Sequence, residues 1–407
     1  MYNYNNRNRT GSWTGGRTEE MEKLFYEEPY RREFTARVTA CVSGKKGFEV
    51  ELDRTCFYPE GGGQPADTGV LGTARVLDVH EKDGTVIHYT DRELSVGEEV
   101  TGRIDWEARF SNMQQHSGEH IVSGLIHSVY GYDNVGFHMG REETTIDLNG
   151  PMSWEELMEI EEKANRAVWA NIPLKITYPS EEELEKLDYR SKKELSGQVR
   201  IVEVPGVDTC ACCGTHVAYT GEIGVIKFLS LMNYKGGVRI SMLCGQKALK
   251  ACDRKTEQVS AVSVLLSAKP EEIVEAVKRQ RDELSEEKAR TVALTRQLME
   301  LKTASYPESD GILLVFEKDY TPVEVRQFCN LLMEAKRGQV TAVFGGQSGS
   351  FSYTLASPVH DMRTLGRELN QSLNGRGGGS ERMVQGSVSA SGEEVRNWFA
   401  ALRERGI

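Results

Sequence analysis

No run of about 18 or more apolar residues occurs in this chain, so no membrane-spanning helix is expected. Residues 1–20, MYNYNNRNRTGSWTGGRTEE, lack the apolar stretch that a secretory signal needs. A basic excess is also missing: 50 Lys and Arg stand against 61 Asp and Glu, for a formal net charge of −11. That balance argues against nucleic-acid binding through a broadly basic surface and leaves a local basic groove as the electrostatic option. The eight cysteines (Cys41, Cys56, Cys210, Cys212, Cys213, Cys244, Cys252 and Cys329) have no framework spacing. With nothing marking the chain as secreted, a cytoplasmic location is expected. Cytosolic thiols then follow, with a tight Cys/His group holding metal rather than forming disulfides.

What is present is ordinary for a globular protein: 407 residues, 39% hydrophobic and 27% charged, enough for two or three domains. The expected fold class is α+β. Residues 1–20 read as a disordered tail, an extended start or an expression remnant, with Met21 a candidate natural start. Residues 21–106 carry short alternating segments at 34–42, 47–52, 74–80 and 85–89, split by Gly- and Asp-rich turns, and predict a small β-barrel. Residues 107–265 form an α/β core. It opens with a helix from 107 to about 130 and continues with one capped by Ser153, with Glu156 three residues on. Strands are expected at 175–177, 199–204, 224–231 and 237–243. Residues 266–306 predict a long helix after Pro270. Its seam (Ile273, Val277, Gln280, Leu284, Glu287, Thr291, Leu294, Leu298, Leu301) steps by four and three like a coiled coil. Residues 307–407 form a further α/β domain, with strands at 312–316 and 340–344 and helices at 322–336, 360–373 and 392–405. NGRGGGSERMVQGSV is a Gly-rich loop between the last two helices.

Two short segments carry metal chemistry. In HSGEH, His116 and His120 are four residues apart on a helix and so share a face. In CACCGTH, Cys212 and His216 have the same spacing around a glycine that permits a tight turn. Neither pair is diagnostic alone, since such pairs also occur as packed or incidental side chains. Together they supply three imidazoles and a thiolate, a set that suits tetrahedral zinc and not magnesium or calcium. Cys210 and Cys213 are alternates. Glu119 lies between the two histidines at a helical position that faces away from the metal.

The ordered segments FYPEGGGQPADTG (57–69), HSGEH (116–120), CCGTHVAYTGEIG (212–224) and KGGVRISMLCGQKAL (235–249) resemble the editing domain of alanyl-tRNA synthetase and its free-standing relatives, the AlaX proteins. NGRGGGSERMVQGSV resembles the Gly-rich signature of that synthetase's C-terminal domain, which is related to the DHH-associated domain. The resemblance covers the chain from about Met21, as in the long AlaX type. It implies zinc held by His116, His120, Cys212 and His216, and hydrolysis of the ester joining a wrong amino acid, serine or glycine, to the 3′ adenosine of alanine-specific tRNA. The chain departs from the pattern at Cys213, where the family usually has Gly; the change leaves the ligands in place and is expected to reshape the turn. The editing motifs begin so early that no aminoacylation domain is expected before them, hence no ATP use.

Editing exists because an apolar pocket rejects a near-isosteric amino acid by only about 10–200-fold, so a second sieve is needed. A site that hydrogen-bonds the serine hydroxyl prefers Ser over Ala, and Thr55 is the candidate for that contact. Zinc has two available roles: lowering the pKa of a water, or orienting the aminoacyl group. Gly61, Gly62 and Gly63 offer backbone amides that a terminal ribose or phosphate can approach. Gln64 and Asp67 are candidates to contact or order the 3′ end, and His138 to line the pocket. In the C-terminal domain, Arg376 and Arg382 flank Gly377, Gly378 and Gly379, and the resemblance implies tRNA binding and a homodimer contact there. Residues 361–407 hold seven Arg and six Asp or Glu, so shape recognition fits this region better than a basic patch. The competing reading is a non-catalytic tRNA-binding module with a structural zinc. A DHH-type phosphoesterase is disfavoured because no Asp-His-His tripeptide occurs.

Overall fold

A computed structural model describes residues 21–44, 47–191, 198–347 and 349–406. The expectation for residues 1–20 lies outside the described residues. The architecture is mixed α and β, and the chain divides between Ala261 and Val262 into two compact units.

In the first unit, six strands close into a barrel: β1 (Glu33–Gly44), β2 (Gly47–Leu52), β3 (Gly69–Leu71), β4 (Ala74–Lys82), β5 (Thr85–Thr90) and β6 (Glu99–Ile104), in the order β1-β2-β5-β4-β3-β6. Alternation explains the inside: Phe34, Ala36 and Val38 point inward from β1, and Val50 and Leu52 from β2, onto one apolar core. Helix α1 (Trp106–Tyr130) follows. The Asp105 carboxylate accepts the Ala108 N–H to start it, and Gly131 ends it in the left-handed region. Strands β7 (Asn134–Met139) and β8 (Thr144–Leu148) come next, then α2 (Trp154–Trp169), whose Ser153–Glu156 capping box is present. Strands β9 (Lys175–Thr177), β10 (Ile201–Val204) and β11 (Asp208–Ala211) form a small antiparallel sheet. Strands β12 (Ile226–Tyr234) and β13 (Gly237–Cys244) join β8 and β7 in a four-stranded antiparallel sheet ordered β12-β13-β8-β7. One apolar core joins α1 and α2 to that sheet.

Helix α1 is buried along much of its length yet polar: Gln114, Gln115, His116, Ser117, Glu119, His120 and Ser123 are all inside. Each must find a partner or a ligand. Gln115 exchanges two hydrogen bonds with the backbone of Cys244 (2.9 and 2.8 Å), which fixes the helix to the end of β13. The Asp67 carboxylate takes a bidentate bond from the Arg109 guanidinium in a fully buried pair, tying the 57–69 loop to the first turns of α1.

Helix α3 (Gly245–Leu266) spans the boundary between the units. The second unit contains α4 (Ile273–Ser305), whose seam residues Val277, Leu284, Leu294, Leu298 and Leu301 are exposed. It continues with β14 (Ile312–Glu317), α5 (Pro322–Glu334), β15 (Val340–Gln347), β16 (Ser350–Ala356), α6 (Met362–Ser372), β17 (Gly375–Gly379), β18 (Met383–Val388) and α7 (Gly392–Glu404). The five strands lie in the order β14-β15-β16-β18-β17. The segment NGRGGGSERMVQGSV, expected as a loop, instead forms the antiparallel pair β17–β18. The buried Tyr353 ring on β16 lies over the paired Gly377 and Gly386, close enough that a Cβ at either would reach it at 2.8 Å. That aromatic cover supplies the packing the glycines lack.

Candidate metal centre

The two halves of the expected ligand set converge. His116 and His120 project from one face of α1, and Cys212 and His216 from the turn after β11. One donor atom of each lies within 4.8 Å of all the others. The Cys212 sulfur is 3.3 Å from His116 Nε2 and 3.7 Å from His216 Nε2. Zinc bonds of about 2.0–2.1 Å to nitrogen and about 2.3 Å to sulfur give tetrahedron edges of roughly 3.4–3.6 Å, so the spacing fits. His120 Nε2 is buried with no hydrogen-bond partner among the described residues, as a ligand atom is.

Electrostatics agree. Burial raises the Cys212 thiol, but the imidazoles of His116, His216 and His120 outweigh it and hold the group well below the usual thiol range. Burial pushes His216 down to about 3, which keeps it neutral. Burial also disfavours charge on His120, but Cys212 and Asp208 raise it well above its usual value. One thiolate amid three buried imidazoles is an arrangement that a divalent cation satisfies.

Side chains behind the donors orient them. His116 Nδ1 donates to Gln64 Oε1 (2.9 Å), and Gln64 is fixed by Thr215: its Nε2 donates to the Thr215 hydroxyl (2.9 Å) and its Oε1 accepts the Thr215 N–H (3.2 Å). His120 Nδ1 donates to Asp208 Oδ2 (2.8 Å), and Arg190 grips both oxygens of that carboxylate (2.7 and 2.9 Å). Such acceptors set the tautomer and raise the basicity of the other nitrogen. Arg200 Nη1 donates to the carbonyls of Cys212 and Gly214 (2.8 and 3.0 Å), clamping the turn. Gly214 must be glycine, because a Cβ there would stand 2.0 Å from His116 Cε1.

The alternates separate. Cys210 lies with Asp208 on the Nδ1 side of His120, and burial raises its thiol. Cys213 is exposed and is not among the residues of positive φ, so its backbone conformation is one that a residue with a Cβ adopts freely. Glu119 accepts from Ser123 and Asn134 rather than facing the cluster.

The other expected site residues divide. Gly61 and Gln64 pair across a tight turn, with Gly62 and Gly63 at φ of 58° and 82°. The Gly63 carbonyl accepts the Met139 N–H at the edge strand β7, and Gly62 has open space where a side chain would stand. Gln64 and Asp67, expected at the substrate end, are buried and engaged, the first behind His116 and the second with Arg109. Thr55 is also buried: its hydroxyl faces His88 Nε2 (2.8 Å) and accepts the Phe57 N–H (3.0 Å). His138, expected to line the pocket, is exposed. Strand alternation puts its neighbour Phe137 against the His116 ring instead, with centroids 5.1 Å apart. Arg376 and Arg382 in the second unit are exposed and have no ion pair among the described residues. Asp208, Arg190, Arg200 and Phe137 were missed in the sequence. The acid four residues before Cys212 was the one readable signal, since ligand imidazoles commonly donate to a carboxylate.

Residues 8–108 match the family described as tRNA synthetases class II (A), and residues 199–241 the threonyl and alanyl tRNA synthetase second additional domain. The chain is 30% identical over 394 residues to the alanyl-tRNA editing protein Aarsd1 of Mus musculus, covering 91% of this chain and 94% of that one. It is 28% identical over 396 residues to the alanyl-tRNA editing protein AlaX-L of Pyrococcus horikoshii, covering 92% and 96%. It is 35% identical over 408 residues to the alanine–tRNA ligase of Natronomonas pharaonis, covering 94% of this chain and 43% of that enzyme. The chain belongs to the family of alanyl-tRNA editing proteins.

Proposed function

We propose that this protein is a hydrolase that removes serine or glycine wrongly esterified to alanine-specific tRNA, with zinc held by His116, His120, Cys212 and His216. The observation that carries the reading is the convergence of four soft and borderline donors within 4.8 Å, in a chain that belongs to the family of alanyl-tRNA editing proteins. Zinc, when bound, supplies a Lewis acid that polarises a carbonyl or lowers the pKa of a water.

The chain's own residues do the rest. Gln64 and Asp208 hold His116 and His120 with Nδ1 protonated and Nε2 turned to the cluster. Phe137 covers the His116 ring and keeps water from that side. Gly62 receives the terminal ribose, flanked by Gly61 and Gly63; the open space beside its backbone supports this role. Arg376 and Arg382, exposed around Gly377, Gly378 and Gly379, serve phosphate contacts on the tRNA body. The exposed apolar seam of α4 serves pairing with a second copy.

The second reading, a tRNA-binding module with a structural zinc, is favoured by one observation: four protein donors make a closed site. Deacylation of Ser-, Gly- and Ala-charged alanine tRNA, with and without a chelator, tests the proposal. Serine release is expected to outpace alanine release and to stop with the chelator or with Cys212→Ala. Absence of release, or release untouched by Cys212→Ala in a folded protein, leaves the structural reading.

A further inference from the structure

The three imidazoles of the cluster are held unequally. His116 Nδ1 donates to Gln64, which Thr215 in turn fixes through two bonds. His120 Nδ1 donates to Asp208, which Arg190 fixes through two more. His216 Nδ1 is just as buried, yet no group among the described residues accepts from it. With Nε2 turned toward the Cys212 sulfur, the neutral ring carries its proton on that unpartnered nitrogen.

We infer that His216 is the exchangeable donor of the set, and that His116, His120 and Cys212 are the permanent three. The inference rests on the zinc reading above. An acceptor behind an imidazole fixes its tautomer and rotation and strengthens the other nitrogen as a ligand. Two of the rings have one; His216 has none among the described residues, and its buried N–H gains a partner there only if the ring turns away. The backbone beside His216 is fixed, because the Val217 N–H donates to the Ser117 hydroxyl (3.1 Å) and Thr215 is held by Gln64. Motion is therefore confined to the side chain. Three lasting donors and one that yields is the pattern that separates catalytic from closed zinc sites. It explains how a four-donor set admits an acyl oxygen.

Zinc affinity, measured by competition with a chromophoric chelator, separates the donors. His116→Ala and His120→Ala are expected to weaken zinc about 100-fold or more, and His216→Ala about tenfold or less. Equal losses at all three positions overturn the inference while leaving the zinc reading intact. Wild type that binds no zinc overturns both. Because a buried His→Ala change can disturb folding, a second measurement uses wild type alone. The histidine ¹⁵N resonances of the zinc-loaded protein are followed as serine hydroxamate is added. One imidazole, His216, is expected to move to its metal-free position while the other two stay. Movement of His116 or His120 instead, or of none, overturns the inference.

Discussion

His120 and Asp208 stand 88 positions apart in the chain and share a buried hydrogen bond of 2.8 Å. The carboxylate only accepts, so the bond places the proton on Nδ1 and frees Nε2 for the cluster. Arg190, on the other side, balances the charge that Asp208 brings inside.

Removing that carboxylate acts on metal and fold at once. Asp208→Ala is expected to weaken zinc by about 10–100-fold, and Asp208→Asn by less because it keeps an acceptor. The alanine variant also leaves the part-buried Arg190 guanidinium without its carboxylate, and stability is expected to fall by less than the about 3–5 kcal/mol of a fully buried pair. Chelator competition and thermal unfolding measure the two effects. Unchanged zinc affinity in Asp208→Ala would show that the second nitrogen of His120 does not matter.

Gly214→Ala tests the packing behind His116. The new methyl would meet His116 Cε1 at 2.0 Å and Nδ1 at 2.2 Å, so the ring must leave Gln64 or the turn must open. Either shift misplaces a donor, and zinc affinity and serine release are expected to fall together, by about 10–100-fold. Cys213→Gly, one residue earlier, touches neither contact and is expected to leave zinc affinity at the wild-type value. A Gly214→Ala protein with normal zinc content would refute the close approach.

The Asp67–Arg109 pair is a structural tie. Both side chains are buried, and Arg109 also donates to the Cys56 and Pro29 carbonyls. Arg109→Ala is expected to destabilise the protein by about 3–5 kcal/mol, because a carboxylate is left buried and unpaired. Arg109→Met with Asp67→Leu removes both charges and is expected to recover part of that loss. Denaturant unfolding of the single and double variants decides it; a double variant less stable than Arg109→Ala would count against this account.

The residues legible in the sequence are those whose chemistry dictates both type and local spacing. His116 with His120, and Cys212 with His216, can be read because two ligands on one helix turn or one tight loop must stand about four apart. The Ser153–Glu156 box, the α4 helix and most strands could be read from periodicity and caps in the same way. The partners behind the ligands were not legible. Gln64 reaches Thr215 across 151 positions, and Asp208 reaches His120 across 88. Those pairings are decided by how the barrel loop and β11 pack on α1. Composition also misled locally: glycines in NGRGGGSERMVQGSV read as a loop until the Tyr353 ring covers them. Strand β7 went unread because its exposed and half-buried residues give no clean alternation; β8 does alternate buried and half-buried positions, but over only five residues.

His88 lies inside the barrel, where Thr55 and the Val50 carbonyl hold its two nitrogens. Burial depresses its pKa to about 4 from an ordinary 6.5. In the unfolded chain it binds its proton at the higher value, so between pH 6.5 and 4 the unfolded state holds more protons and stability rises with pH. The contribution is complete above about pH 6.5 and is lost as pH falls through 4, a change of about 3 kcal/mol. His88→Gln is expected to flatten this part of the stability profile while leaving the region above pH 7 parallel to wild type. Urea unfolding at half-unit steps from pH 4 to 8 gives the difference curve. A difference that does not vary between pH 4 and 6.5 would mean that the ring is not held neutral by the barrel interior.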